Sequence, residues 1–182
     1  PLQHASDTVL DRMHRQTTCQ EQRELIQYAR ATVPNLAVRT TFIVGFPGET
    51  EKEFQQLCDF VEEMQFDRVG VFQYSHEEDT SGYLLEDDVS PEEKIDRANR
   101  IMEIQQSISW QHNQNKIGRR LKVLFDRKEG EYFVGRTEYD SVEVDNEVLV
   151  SAKDNYVRVG DFAYIEITDA EDYDLYGKVV NE

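Results

Sequence analysis

A chain of 182 residues holds one ordinary domain, or part of a large one plus a small one. With 37 acidic residues against 20 basic, its formal charge of −17 argues against simple electrostatic binding to phosphate backbones and suits a basic protein partner or plain solubility. No apolar run approaches the roughly 18 residues of a membrane span, and Cys19, Cys58 and four scattered histidines (His4, His14, His76, His112) lack the spacing of a metal or iron–sulfur site.

In chain order, Pro1-Leu2-Gln3-His4 reads as the end of a strand. Thr18-x-x-Glu21 has the form of a capping box opening a helix whose core face is Leu25, Ile26, Ala29 and Val33. An apolar, β-branched strand over Ala37–Val44 stops at Gly45-Phe46-Pro47-Gly48, an acidic residue follows, and Thr50-x-x-Glu53 opens the next helix with Phe54, Leu57, Cys58 and Val61 on one face. Arg68–Tyr74 reads as a second strand. Ser90-x-x-Glu93, with Pro91 at the first helical position, opens a long helix striped by Ile95, Ala98, Ile101, Met102, Gln105 and Ile108 and running towards Trp110. Strand, loop, helix and strand with short connections imply parallel neighbours joined by a crossover, so residues 1–114 are expected to form the second half only of a parallel (β/α) barrel.

Beyond Gly118 the period changes. Leu121–Phe125, Tyr132–Val134, Val142–Val150, Phe162–Ile167 and Leu175–Val180 predict five short strands separated by turns, and hence a small five-stranded antiparallel β-barrel over 115–182. The fold class expected is α/β plus all-β.

The strand–turn–helix at Gly45 is the kind of place where α/β folds hold ligands. Its wording, Ile43-Val44-Gly45-Phe46-Pro47-Gly48-Glu49-Thr50, resembles the adenosine-supporting motif of radical S-adenosylmethionine enzymes, in the form found in methylthiotransferases. In that family the positions of Ile43 and Gly45 line the adenine side and the acidic residue braces the loop. The resemblance therefore assigns Ile43 and Gly45 to cofactor contact and Glu49 to support. The second domain resembles a TRAM barrel through Val144-Asp145-Asn146, Val159-Gly160-Asp161 and Ala170–Gly177. Pro1–Ser6, Arg39-Thr40-Thr41-Phe42 and Tyr173-Asp174-Leu175-Tyr176-Gly177 are similar to the ribosomal-protein aspartate methylthiotransferases, the RimO type.

That resemblance implies a cytoplasmic transferase that methylthiolates the β-carbon of an aspartate in small-subunit ribosomal protein twelve. It implies S-adenosylmethionine and two 4Fe–4S clusters as cofactors, with the cluster ligands outside this chain, so that the chain alone is expected to be inactive and to hold neither catalytic nor metal-ligating residues. Gln3 is expected to hydrogen-bond the ribose or methionine carboxylate, or to cap the helix that starts at Ser6. Arg39 is expected to pair with the cofactor carboxylate or with a structural acid, and Phe72 and Tyr74 to flank the cofactor or fill the barrel. His4 reads as a structural histidine. Over 118–182 nine Lys/Arg stand against sixteen Asp/Glu, a net −7, which suits docking of a basic ribosomal protein better than tRNA. Two other readings are a fragment of a tRNA-modifying methylthiotransferase and a non-catalytic RNA- or protein-binding module. One departure stands out: Tyr74-Ser75-His76-Glu77-Glu78-Asp79-Thr80 replaces the family's Tyr-Ser-Pro-Glu-Glu-Gly-Thr, and Asp79 for glycine is expected to alter that loop.

Overall fold

Alternation along β1 (Arg39–Val44) organises the first part of the chain. Thr40, Phe42 and Val44 are buried on one face, while Thr41 and Ile43 are only partly covered on the other, the period of two that a pleated strand imposes. β1 pairs in parallel with β2 (Arg68–Gln73), from Arg39↔Arg68 to Val44↔Gln73, through α3 (Glu51–Met64). On the other edge of β1, Gln3 forms a parallel bridge to Phe42: its amide donates to Thr41 O at 3.0 Å, and its carbonyl accepts from Ile43 at 2.8 Å. The strand end read at Pro1–His4 is present as this bridge.

The computed structural model describes residues 1–142 and 144–181, and the chain separates into two units, Pro1–Ile108 and Ser109–Glu182. In the first, Phe42 and Val44 pack with Phe54, Leu57, Cys58, Phe60, Val61, Met64 and Phe66, joined by Ile26 and Ile101. Burying each of the larger side chains contributes about 1.5–3 kcal/mol. Both expected capping boxes, Thr18/Glu21 before α2 (Cys19–Thr32) and Thr50/Glu53 before α3, are complete. At α4 (Pro91–Gln114) only half of the box forms: Ser90 Oγ accepts from the Glu93 amide at 3.2 Å, but the Glu93 carboxylate turns to Arg97.

Two helix faces differ from expectation. On α2, Leu25 and Val33 are 62% and 46% exposed, and the buried row is Gln22 and Ile26. Gln22 tolerates burial because its Nε2 donates to Leu2 O at 3.2 Å. On α4, Ile95 and Met102 are 49% and 37% exposed, whereas Lys94, Arg97, Ile101, Gln105 and Ile108 are buried. A stripe of apolar residues is the wrong signal where buried cations have anionic partners. Lys94 reaches Asp87 and Arg97 reaches Glu49.

In the second unit β3 (Arg120–Glu129), β4 (Tyr132–Arg136), β5 (Val148–Ser151), β6 (Phe162–Ala170) and β7 (Leu175–Val180) close in the order β3-β4-β5-β7-β6. The closed five-stranded barrel is as expected, but it is mixed, because β5 and β7 run parallel. A ring with an odd number of strands cannot alternate direction all the way round, so at least one pair must be parallel. Val123, Phe125, Val148, Val150, Ile165, Ile167 and Leu175 fill it. A Cβ at Gly177 would lie 2.4 Å from Ile165 Cγ2, so β7 approaches β6 more closely than a larger residue allows.

The strand expected over Val142–Val150 is much shorter. Glu143 lies outside the described residues, and Val142 and Val144 are 47% and 71% exposed in a turn where the Ser141 amide donates to Asp145 Oδ2 at 2.7 Å. The last turn of α4 belongs to this unit: Asn113 Nδ2 donates to Glu171 O at 3.0 Å and Gln114 Nε2 to Ala170 O at 2.8 Å. No helix among the described residues is long and apolar enough to cross a membrane.

Candidate functional site

At the carboxyl end of β1 the chain turns over Phe46-Pro47-Gly48-Glu49, with the Glu49 amide donating to Phe46 O at 2.9 Å. Proline in second place and Gly48 at φ +76 in third make this a type II turn, which requires a positive φ at its third residue. Gly45, at φ +72, precedes it.

The Glu49 carboxylate, 3% exposed, is the buckle of this loop. Both its oxygens accept from the Gly45 amide at 3.1 Å, Arg97 Nη1 donates to it at 2.6 Å, and His4 Nε2 lies at 3.1 Å. The Ser6 amide donates to His4 Nδ1 at 2.9 Å, so the imidazole proton belongs on Nε2 and points at Glu49. His4 is thus the structural histidine expected, with both ring nitrogens engaged. Burial alone pushes the Glu49 carboxyl upward. The His4 contact, the Gly45 amide and Arg97 outweigh it and hold the carboxyl below its ordinary value.

A second clamp closes on Gly48: its amide donates to Asp88 at 2.6 Å, and its carbonyl accepts from Arg12 at 2.5 Å. Beside it, Lys94 Nζ bonds both oxygens of Asp87 at 2.7 Å and lies 5.2 Å from the centre of the Tyr74 ring. A Cβ on Gly45 would lie 2.3 Å from Lys94 Cγ. The missing side chain at Gly45 therefore makes room for the Lys94 stem.

Next to this loop is a cleft of about 490 Å³, lined by Gln3, Ile43, Phe46, Phe72 and Tyr74, by Arg12 at the end of α1 (Asp7–Arg12) and Arg15 beyond it, and by Ser75, Glu77 and Thr80 to Gly82. Of the residues singled out in the sequence, Gln3, Ile43 and Phe72 come together here. Phe72 is 65% exposed and faces the cleft instead of filling a core. Gln3 sits at φ +71, and its Oε1 is buried without a hydrogen-bond partner. Strained backbone and an unsatisfied buried acceptor are both costly and concentrate at functional sites.

Gly45 and Glu49 lie behind the cleft wall as its support. Arg39 does not line this cleft. It is exposed at the amino end of β1, about 13 Å along the strand from Ile43 at 3.3 Å per residue. Ligands in such folds gather at the carboxyl ends of strands. Arg97, Lys94, Asp87, Asp88 and Arg12 went unnoticed in the sequence. The only signal for the first two was their place in the buried α4 row.

The radical SAM superfamily matches residues 1–61 and the TRAM domain residues 117–180. The chain is similar to the ribosomal protein uS12 methylthiotransferase RimO of Cytophaga hutchinsonii (57% identity over 99% of this chain and 41% of that protein). Similar proteins of the same description occur in Christiangramia forsetii (55%, 100% and 40%) and Bacteroides thetaiotaomicron (47%, 100% and 42%). The chain spans about two-fifths of the length of these relatives. Similar along its whole length, and with both domain types in the expected order, it belongs to the RimO-type radical S-adenosylmethionine methylthiotransferase family.

Proposed function

We propose that this chain supplies the adenosine seat and the TRAM domain of a methylthiotransferase that uses S-adenosylmethionine and two 4Fe–4S clusters to modify an aspartate β-carbon in ribosomal protein uS12. The observation that carries the reading is Gln3, strained and with a buried unpartnered acceptor, on the wall of a cleft whose volume suits a small-molecule ligand. The residues fit a nucleoside. Ile43 and Phe72 offer apolar surface to a purine, and Gln3 Oε1 accepts a hydrogen bond from an amine or hydroxyl.

When bound, the cofactor with its cluster supplies the radical that breaks an unactivated C–H bond, chemistry beyond acid–base side chains. This chain's residues bind and orient: Glu49, Arg97 and His4 hold the loop, Gln3 fixes the nucleoside, and the aromatic wall excludes water. Cys19 and Cys58 sit on separate helices of the first unit, and in this reading the cluster ligands lie outside this chain, which is inert by itself. The acidic second unit docks the basic ribosomal protein, and the site of action is the cytoplasm.

The test uses the full-length protein, reconstituted without oxygen and given uS12. A methylthio group on an aspartate of uS12 is the expected product. Modification of tRNA instead, or no cleavage of S-adenosylmethionine, refutes the proposal. Gln3→Leu should leave stability unchanged or raised while weakening adenosine binding, since it removes an unsatisfied polar group.

A further inference from the structure

The rim of the cleft carries apolar surface that the fold does not cover. After β2 the chain enters a single 3-10 turn over Ser81–Leu84, where Thr80 Oγ1 donates to Glu77 O at 2.8 Å and accepts from the Tyr83 amide at 3.3 Å. The Leu85 amide donates to Gly82 O at 3.0 Å, and the Tyr83 ring leans on His76 with the ring centres 4.7 Å apart. Beyond the turn, Asp87 is tied to Lys94 and Asp88 to the Gly48 amide. The turn is therefore fixed on both sides, yet Tyr83, Leu84 and Leu85 are all exposed, Leu84 by 87%.

Ser81 and Gly82 line the cleft, so this apolar edge continues the wall formed by Phe72 and Tyr74. Carboxylates flank it, Glu78 and Asp79 before and Glu86 after. All three are exposed, and none makes a side-chain hydrogen bond or ion pair among the described residues. Apolar side chains held in water on a fixed turn add nothing to the core, and a contiguous run of them marks an interaction surface. The free carboxylates decide the sign of the partner: they repel phosphate and attract cations. Lys and Arg match both parts of the edge, their aliphatic stems the leucines and their charged heads the carboxylates, and a cation also suits the exposed face of Tyr83.

We propose that the 78–86 rim docks a Lys- or Arg-bearing segment of the protein substrate at the mouth of the cleft. The inference rests on the protein-substrate reading given above and makes this turn its specificity element.

The full-length, cluster-loaded enzyme tests it, as wild type, Leu84→Ser, Leu84→Met and the double variant Glu78→Gln with Glu86→Gln. Fluorescence anisotropy with labelled uS12 reads binding, and methylthiolation at varied uS12 reads KM and kcat. Leu84→Ser should weaken binding and raise KM about tenfold, the scale of burying about half a leucine side chain. Its kcat, its cleavage of S-adenosylmethionine without uS12 and its melting temperature should stay at wild-type values. Leu84→Met, which keeps the apolar contact, should bind as wild type. The double variant should bind several-fold more weakly at low salt and as wild type at about 1 M salt.

Unaltered affinity and KM in Leu84→Ser and the double variant overturn the proposal, as does Leu84-dependent binding of tRNA in place of uS12. Methylthiolated uS12 with unaltered KM in both variants sinks this inference alone. Binding of uS12 that depends on Leu84 without methylthiolation sinks the proposed reaction alone. Wild-type enzyme that fails to bind uS12 sinks both.

Discussion

Replacing Arg97 with methionine tests whether the Gly45–Glu49 loop is held by a buried charge pair. Arg97 and Glu49 are 2% and 3% exposed, and Arg97 Nη1 also donates to the Glu49 carbonyl at 2.9 Å. Removing one member of a buried pair leaves an uncompensated charge, at a cost of about 3–5 kcal/mol. The Gly45 amide and His4 Nε2–H remain, which places Arg97→Met near 3 kcal/mol, still a large share of the roughly 5–15 kcal/mol that holds a domain folded.

The pH dependence has a definite sign. Glu49 has a folded pKa below its unfolded value, so its stabilising contribution is present above about pH 4.3 and is lost as pH falls through the folded value. In Arg97→Met, burial is opposed only by His4 and the Gly45 amide, so that carboxyl moves upward and the cost of ionising it fades on acidification. The stability gap should be widest near neutrality and narrow towards about pH 4.

Urea unfolding followed by far-UV circular dichroism at several pH values measures the gap. Glu49→Gln combined with Arg97→Met should recover much of the loss, because no buried charge is left behind. A gap that does not vary with pH, or a double variant as unstable as Arg97→Met, would refute the reasoning.

Gly45→Ala should lower the melting temperature by several degrees, about 1–3 kcal/mol for a side chain forced into left-handed backbone and onto the Lys94 stem. Thermal unfolding at the wild-type temperature would contradict this. Asp79 holds φ +62, a conformation that glycine adopts without strain, so Asp79 bears the strain here. Asp79→Val should therefore cost about 1–2 kcal/mol in chemical denaturation and Asp79→Gly less than about 0.5; equal costs would be evidence against it. In the barrel, Glu131→Gln, Glu138→Gln and Asp154→Asn together remove three exposed charges. Stopped-flow association with uS12 should slow several-fold at low salt, with the difference erased as salt rises. Unchanged rates at low salt would remove the electrostatic docking argument.

Local chemistry was legible in the linear chain wherever it acts over a few residues. Thr18/Glu21 and Thr50/Glu53 announce helix starts, Pro47-Gly48 announces a turn, and alternating apolar runs announce the barrel strands, because caps, turns and pleats are satisfied by near neighbours. The order of elements likewise led to the half-barrel and barrel reading; Gln3 stood out at a strand end and Ile43 through the family resemblance, and both line the cleft with Phe72.

Long-range pairing was not legible. Apolar periodicity misplaced the α4 face because Arg97 and Lys94 are buried by partners 48 and 7 residues away, and burial of a cation follows from its partner and not from its own hydropathy. For Arg39 the linear chain left a cofactor carboxylate and a structural acid as alternatives, and strand direction puts it at the amino end of β1. One parallel pair in the barrel followed from closure of five strands, which no single strand encodes. The sequence by itself therefore determined the order of the elements and the strand–turn–helix loop at Gly45. Only the tertiary structure decided which charges support that loop and which residues line the cleft, since Coulomb and hydrogen-bond partners are set by proximity in space.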